Sequence, residues 1–440
     1  MAFIIVALLM VSAFPAICAN VGTENSWAAK EPLPMPSWGI VGVNGKIYAI
    51  AGSGDYANVT YVNNAVFEYD PASDAWISKK PMPTKRSSFA AVTYHNKIYL
   101  IGGDDGLNQV YDPVTDTWED RAPMPTPRTQ MEGNVVNGKI YLIGGRTGGQ
   151  YSTVSVNEVY DPATDSWTTK PPIPYHVTLY ASAAVDNKIY VIGGQDEFHS
   201  DINVAFNQIY DTENDSWSFG APIPSITFSA AAGVTTGVLA PKRIYVIGGM
   251  INHETHGSDL NQVYNPEDDS WSVAASMPTA RFQFHIAVVN DKLYAMGGLP
   301  YFTLSGEYCY ENEQFTPIGY KPRVEVLSPE NKTYDATVVS LNFAVNGYAA
   351  SFSYSLDGQK NVLITDNTTL EGLSSGLHNL TVYVEDAEGN LGMSETVYFT
   401  ILEPFPTTLV AIASLVIVAV VGACLLAYSR RKESNRTVKF

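Results

Sequence analysis

A seven-residue, mainly apolar stretch that ends in glycine occurs six times and constrains the fold of this chain more than any other feature. The clearest copy is K-I-Y-L-I-G-G at 139–145, and the other copies lie at 46–52, 97–103, 188–194, 243–249 and 292–298. Their last residues are separated by 51, 42, 49, 55 and 49 positions. Consecutive apolar residues indicate a strand that is buried on both faces. Their recurrence at this period predicts an array of similar β units that bury each other's faces.

A tyrosine, a turn and a tryptophan follow most of the glycine pairs at similar spacing. One example is Tyr111-Asp112-Pro113 with Trp118, after which Pro-Met-Pro precedes the next apolar strand. This unit resembles the kelch repeat in its double glycine and in its spaced tyrosine and tryptophan. Over residues 24–318 the resemblance implies an all-β domain, a six-bladed propeller with four antiparallel strands in each blade.

The two ends of the repeat region complement each other. Asn25-Ser26-Trp27 matches the end of a repeat whose beginning is absent, whereas the sixth repeat contains Tyr310 but lacks its tryptophan. We therefore predict that the strand around Trp27 completes the last blade and removes an open edge. The alternative is that residues 314–316 take that place. In either case Cys309 is expected on the third strand of the blade.

The segments on either side of the propeller predict a leader and a second β domain. Residues 3–14 are apolar but too few to span a bilayer, which indicates a secretory signal peptide over 1–19. Short alternating strands separated by Gly, Asn and Asp turns predict an immunoglobulin-like β-sandwich over 321–403. The run N-L-T-V-Y-V-E-D-A-E-G-N at 379–390 resembles the end of bacterial and archaeal surface modules.

The C-terminal region predicts a membrane anchor. Residues 409–428 carry no charge, and Arg430-Arg431-Lys432 follows at once. An uncharged run of about 20 residues is long enough to span a bilayer, and adjacent positive charge marks the cytoplasmic side. We therefore expect one transmembrane helix over 407–429 and a cytoplasmic tail over 430–440. The expected location is the cell membrane, with a single pass and the N-terminal ectodomain outside.

Composition narrows the classes of partner. The net charge of −18 argues against nucleic-acid binding, which requires a basic surface. Outside the predicted leader and membrane helix the one cysteine is Cys309, so no intrachain disulfide is expected. Five sequons are candidate N-glycosylation sites, which suits an extracellular glycoprotein: Asn58, Asn214, Asn331, Asn367 and Asn379.

The loops predict one binding face on the propeller. In a four-stranded blade, the loops between strands two and three and the connections between blades emerge on the same side. The longest of these loops are 53–63, 146–157, 195–207 and 250–261. The inter-blade connections add aromatic rings for stacking and Arg or Gln groups for hydrogen bonding. The predicted ligand-binding residues are Trp38, Arg86, Arg128, Gln130, Tyr175, His176, Phe228, Arg281 and Phe284.

Resemblance to kelch-type enzymes leaves a catalytic alternative open. Galactose oxidase holds copper with tyrosines and histidines and carries a thioether-linked cysteine, and Cys309 stands between Tyr308 and Tyr310 with His285 in the same blade. Sialic-acid epimerases of kelch type keep a carboxylate and an arginine at the channel mouth. In this chain Glu132 with Arg128 or Arg281 could imitate that pair. His253 and His256 could ligate a metal from an exposed loop, although without a helix to hold them that pattern is weak.

Taken together, these features predict a membrane-anchored cell-surface recognition or adhesion protein. The propeller is the expected binding head for a protein or glycan, and the sandwich is its expected stalk. No cofactor, metal site or catalytic residue is assigned, and an enzyme is the less favoured interpretation. The alternative function is a membrane-anchored carbohydrate-active enzyme, either an oxidase or a sugar epimerase.

Overall fold

The chain divides into two compact units, one over Val21–Lys321 and the other combining Met1–Asn20 with Pro322–Phe440. The predicted signal peptide lies outside the described residues apart from Cys18–Ala19. Residue Asn58 of the first predicted sequon also lies outside them. The computed structural model describes residues 18–19, 24–50, 53–56, 59–103, 105–148, 152–196, 202–251, 256–301, 308–346, 349–386, 389–402 and 407–434.

The larger unit is a ring of six antiparallel sheets of four strands each, which confirms the predicted six-bladed propeller. Each innermost strand contacts the innermost strands of the two neighbouring blades, and the sixth contacts the first. From the innermost strand outward, blade one consists of Gly39–Val43, Lys46–Ile50, Val66–Asp70 and Ala75–Lys79, and blade two of Phe89–Tyr94, Lys97–Gly102, Asn108–Asp112 and Thr117–Arg121. Blade three consists of Gly133–Val136, Lys139–Ile143, Asn157–Asp161 and Ser166–Lys170, and blade four of Ala181–Val185, Lys188–Ile192, Asn207–Asp211 and Ser216–Gly220. Blade five consists of Ala231–Val234, Ile244–Ile247, Asn261–Asn265 and Ser270–Val273, and blade six of His285–Val289, Lys292–Met296, Asn312–Thr316 and Ser26–Lys30.

Three short two-stranded sheets accompany the blades; the first two are hairpins that follow a second strand, and the third joins the connection before blade five to the residues after its second strand. They pair Ser53–Tyr56 with Val59–Val62, Gln195–Asp196 with Ile202–Asn203, and Thr227–Phe228 with Met250–Ile251.

The second strand of each blade is buried on both faces, as its apolar sequence predicts. In blade three, the side chains from Ile140 to Ile143 are all buried. The glycine pair that follows has φ angles of 63° at Gly144 and 88° at Gly145, a region that side chains with a Cβ rarely adopt. A Cβ at Gly145 would also lie 2.7 Å from the carbonyl oxygen of Thr129. The glycines therefore let the chain turn where the connection that enters the same blade passes close by.

The repeated tyrosine and tryptophan join adjacent blades. In blade two, Trp118 packs on Tyr111 with ring centroids 4.9 Å apart, and its indole Nε1 donates to the carbonyl of Lys80 at the end of blade one, 3.2 Å away. The carboxylate of Asp116 accepts from the Tyr111 hydroxyl at 2.5 Å and from the Lys80 backbone N–H at 2.9 Å. The same indole-to-carbonyl bond occurs at Trp27, Trp76, Trp118, Trp167, Trp217 and Trp271.

The ring is closed by the strand that contains Trp27, which confirms the predicted closure. Ser26–Lys30 pairs with Asn312–Thr316, and Trp27 stacks on Phe315 at 5.0 Å while donating to the carbonyl of Ala275 at 2.9 Å. The placement of Cys309 on the third strand was wrong, because that strand is Asn312–Thr316. Phe315 is fully buried opposite Leu293, where the other blades have tyrosine, whereas Tyr310 is 40% exposed.

The smaller unit contains two sheets that share one apolar core. Residues from both sheets meet in that core, including Leu341 and Phe343 from one sheet and Leu380, Val382 and Phe399 from the other. Two packed sheets make this a β-sandwich, while the immunoglobulin-like type stays a prediction. One sheet consists of Cys18–Ala19, Arg323–Ser328, Val339–Asn346 and Thr368–Leu370; the other of Thr333–Tyr334, Ser351–Leu356, Val362–Ile364, Gly376–Glu385, Leu391–Met393 and Val397–Ile401.

The C-terminal helix, Thr407–Ser434, corrects the predicted membrane anchor. Within the described part of the chain, no helix combines the length and the apolar character that crossing a membrane requires. The predicted transmembrane helix over 407–429 and the single-pass membrane location were therefore wrong.

Ring closure generates a prediction about cooperativity. Deletion of residues 24–30 removes the outer strand of blade six and uncovers Phe315, so the propeller should lose its single unfolding transition. The control is Trp118→Ala, which removes one indole bond but leaves the ring closed and should lower stability by about 3 kcal/mol with one transition retained. Urea unfolding followed by tryptophan fluorescence measures both. An unchanged single transition in the deletion variant would contradict the role given to this strand.

The inter-blade aspartates generate a prediction about acid. The Tyr111 hydroxyl and then the Lys80 N–H hold the pKa of Asp116 below its usual value, and Asp165 is held low in the same way by Tyr160 and Ala122. A depressed pKa stabilises the fold above the unfolded value of about 3.9, and this contribution is lost as pH falls through the folded value. The double variant Asp116→Asn/Asp165→Asn should therefore show a weaker loss of stability below pH 4 than the parent chain. In blade six the equivalent position is Asn25, whose side-chain oxygen accepts the backbone N–H of Ala275. Because the fold already contains an asparagine at this position, the variant is expected to fold. Parallel pH profiles of the thermal midpoint test this, and identical slopes would contradict it.

Candidate functional site

The inter-blade connections meet at one end of the central channel and form its mouth. In five of the six connections one residue has a left-handed φ, between 51° and 57°, just before the innermost strand. Those residues are Ser88, Gln130, Leu179, Ser229 and Gln283. Because this kink recurs, the connections turn into the ring in a common way and place equivalent residues around the same opening.

We call the cavity at this opening the mouth; its volume is about 90 Å³. Its lining combines apolar and aromatic side chains with amide and hydroxyl groups. The residues are Trp38, Ser88, Phe89, Gln130, Met131, Glu132, Leu179, Tyr180, Ser229, Ala230, Gln283, Phe284 and His285. A second cavity of about 270 Å³, which we call the channel, runs along the innermost strands and is lined mainly by small and β-branched residues.

Three of the predicted binding residues lie at the mouth. Trp38, Gln130 and Phe284 all line this cavity. Gln130 uses its side-chain oxygen to accept from the hydroxyl of Thr178 at 2.9 Å. Phe284 is buried, and the guanidinium carbon of Arg281 lies 5.3 Å from the centre of its ring.

The three predicted arginines are buried, and most of their donors are used inside the blades. Arg128 forms an ion pair with Glu158 and also donates to the carbonyls of Gly144 and Leu142. Arg281 pairs with Glu313 at 2.7 Å. Both guanidinium groups therefore hold their own blade together and are not presented to a ligand at the mouth.

The third arginine, Arg86, has no acidic partner among the groups it bonds. It donates to the carbonyls of Leu100, Gly102 and Leu107 and to Gln109 at 3.5 Å. Burial lowers its pKa to about 10, which leaves the group charged at neutral pH. Like Arg128 and Arg281, it ties an inter-blade connection to the end of the second strand.

The remaining predicted residues lie away from the mouth lining. Tyr175 is 47% exposed and stacks on Phe206 at 4.3 Å. His176 contacts Asp196, with 3.2 Å between Nε2 and the carboxylate. Phe228 is buried and belongs to a short strand paired with Met250–Ile251. The structure thus brings together one third of the predicted set at the mouth.

Several mouth residues were missed because single repeats did not reveal them. Leu179 and Gln283 occupy the kinked position and Tyr180 follows it, which shows only when the six connections are aligned on their strand pairing. Tyr180 donates its hydroxyl hydrogen to the carbonyl of Ile143 and accepts from the Glu132 backbone N–H at 3.2 Å. It therefore fixes the entry to blade three from blade four.

The residues behind the enzyme alternative are dispersed. Cys309 is buried, and burial raises the pKa of its thiol to about 12. His256 lies edge-on to Tyr301, while His253 is outside the described residues. No cluster of three or more His, Cys, Asp or Glu side chains with metal-binding geometry occurs in the described ranges. Neither Arg128 nor Arg281 is available to act with Glu132, since each is bonded to another carboxylate.

The predicted glycosylation sites differ in accessibility. Asn214 and Asn331 are exposed, and Asn214 donates from Nδ2 to Asp211 at 2.9 Å within its turn. Asn367 and Asn379 are partly buried, and Asn367 accepts the backbone N–H of Phe343 at 3.0 Å.

Comparison with known proteins identifies the repeats as kelch repeats. A family model described as the KLHDC2/KLHL20/DRC7 Kelch-repeats domain matches residues 37–202 and, in an overlapping alignment, 110–298. Human Kelch-like protein 15 is 34% identical over 80 residues, which are 17% of this chain and 13% of that protein. Halomucin of Haloquadratum walsbyi is 40% identical over 88 residues, 18% of this chain but 1% of halomucin. The chain therefore spans only a small part of the curated relatives that it matches.

A solved structure shows the same fold. The structure of YjhT covers 65% of this chain, and 96% of YjhT is covered in return, with a TM-score of 0.54 at 15% identity. At that identity the likeness concerns the fold alone.

The buried arginines generate a prediction about stability. Arg128→Ala leaves the Glu158 carboxylate buried without its counter-charge, which should cost about 3–5 kcal/mol of unfolding free energy. Glu158→Gln, which reproduces the Arg86–Gln109 pair of blade two, should cost clearly less. Urea unfolding of the two variants tests this. A midpoint for Arg128→Ala equal to that of the parent chain would contradict the internal role of the arginine.

Proposed function

The chain belongs to the kelch-repeat family, and on that premise we propose that its propeller is a protein-binding module that holds its partner at the mouth. The observation that carries the proposal is the lining of this cavity. Trp38, Leu179, Tyr180 and Phe284 supply an apolar centre, and the amides and hydroxyls of neighbouring residues surround it.

This arrangement has the anatomy of a protein interface. Such interfaces combine aromatic anchors that lose contact with water with polar groups that fix orientation at their border. Gln130, Gln283, Ser88 and Ser229 supply donors and acceptors at the mouth. The kinked backbone at each of these residues is part of the folded ring, so little ordering is required on binding.

The surrounding surface extends the proposed site toward blade four. The ring of Tyr175 is exposed, and Phe206 lies on one side of it while Phe219, 52% exposed, meets it edge-on at 5.9 Å. The backbone of Tyr175 is held on both sides by Gln208, at 2.9 and 3.0 Å. This aromatic surface is therefore rigidly positioned beside the mouth connections and gives a partner further contact area.

A peptide-display library selected on the folded chain tests the proposal. Bound peptides should lose at least tenfold in affinity on Gln283→Ala, a residue whose removal leaves the blade intact, and on Trp38→Ala. The matched control is Gln359→Ala, an exposed glutamine of the smaller unit, which should leave affinity unchanged. Affinities are measured by fluorescence anisotropy of labelled peptides. Equal losses from all three substitutions, or none from the two mouth variants, would contradict binding at this cavity.

A further inference from the structure

Two ionisable side chains interrupt a ring position that is otherwise occupied by very small residues. The position is the one opposite the fifth residue of each repeated seven-residue stretch, which is isoleucine in five blades and Met296 in the sixth. It holds Gly39, Ala90, Ala181 and Ala231 in four blades and His285 in the sixth. In blade three Gly133 pairs with Leu142, so the equivalent residue is Glu132, one position earlier and opposite Ile143.

Blades three and six lie across the channel from each other in a ring of six. Glu132 and His285 consequently face one passage from opposite sides. Both line the mouth and the channel, and so do Ala230 and Phe284. We call the passage bounded by these four residues the throat.

The polar groups at the throat lack partners within the protein. Nδ1 of His285 is buried and has no hydrogen bond from any described residue. None of the hydrogen bonds among the described residues involves the Glu132 carboxyl, although its backbone N–H reaches Tyr180. The Tyr180 hydroxyl hydrogen is already donated to Ile143, so it cannot serve that carboxyl.

Charge at the throat is likewise uncompensated. The ionisable side chains that line the two cavities are Glu132, His285 and Tyr180. Burial raises the pKa of Glu132 to about 7 and lowers that of His285 to about 4, so near neutral pH the imidazole is an uncharged acceptor. Burial also raises the pKa of Tyr180 well above its usual value, which keeps the phenol neutral. A cation would supply the missing counter-charge and favour the ionised carboxylate.

We propose that the throat binds a primary ammonium group carried on a lysine side chain of the partner protein. The ammonium has three donors and no acceptor, which matches a carboxylate and an unprotonated imidazole nitrogen. The aromatic rings of Trp38, Tyr180 and Phe284 line the approach, where they can contact the methylene stem and attract the cation. The mouth, at about 90 Å³, is large enough to admit one slender side chain.

The overall charge favours the same ligand. A net charge of −18 raises the local concentration of cations around the chain. Recognition of the ammonium follows from the throat itself, whereas its presentation on a protein rests on the proposed function.

Saturation-transfer NMR with n-butylammonium chloride on the full chain tests ammonium recognition directly. Saturation should appear for the amine, should be at least tenfold weaker for n-butanol of similar shape, and should be lost in Glu132→Gln. Because the carboxylate must be ionised, affinity should fall about tenfold per pH unit below pH 7. The control Glu119→Gln alters an exposed carboxylate on an outer strand and should change nothing. Equal signals from amine and alcohol, retention in Glu132→Gln, or a flat pH profile from 5 to 8 would overturn the proposal.

A second arm separates the two sources of the ammonium. Lysine-containing peptides from the display library are compared with the same peptides carrying acetyl-lysine, which keeps the length but removes the charge. A loss of at least tenfold that disappears in Glu132→Gln supports the lysine. If n-butylammonium binds but no lysine peptide does, the carrier is a free amine and the protein-binding proposal fails. If peptides bind at the mouth but the amine does not, the ammonium proposal alone fails.

Discussion

The fold depends on a hydrogen bond from each repeat tryptophan to a backbone carbonyl of the preceding blade. A single four-stranded blade has two apolar faces and cannot bury them alone. The indole ring covers the tyrosine or phenylalanine of its own blade, while its N–H donates to a carbonyl of the preceding blade. One side chain therefore provides both packing and hydrogen bonding between blades. The sixth bond comes from Trp27, at the start of the propeller, to Ala275 in blade five. Both ends of the repeat region are thereby held in one ring, and the inter-blade connections converge on a fixed opening.

Local sequence predicted the blades well because the features that define them are local. Apolar runs, glycine pairs and Asp-Pro turns lie within one repeat, and each acts on its own stretch of backbone. The third strand of blade six was missed for the opposite reason. Tyr310 has the residue type that the repeat leads one to expect, but Phe315 has the strand partner, and only pairing with Leu293 distinguishes them. The C-terminal stretch was predicted to span a membrane from its lack of charge, whereas no helix in the described ranges has the combined length and apolar character that crossing requires.

The binding site was harder to predict because the same residue types serve the blade and the ligand. Arg128 and Arg281 stand in the connections, where exposed donors are expected, yet their partners Glu158 and Glu313 are 30 and 32 residues away. Sequence alone does not show that each guanidinium turns inward. The repeats did contain a clue, because the second residue of the third strand is glutamate in the two blades with these arginines. In blades four and five the same position holds Gln208 and Gln262, which bond the backbone of Tyr175 and Ser225.

In a repeat protein, equivalent positions in the other repeats show which residue types the fold requires at a given place. The six innermost strands begin in nearly the same surroundings, and four of them show that glycine or alanine is sufficient at the throat position. A carboxylate or an imidazole there brings a desolvation cost without adding a bond that the ring requires. Glu132 and His285 are therefore not explained by the packing that accounts for Arg128 or Trp118. A cationic group that enters the throat would offset this cost, and the sign of the unmatched charge makes a cation the ligand that these side chains are suited to bind.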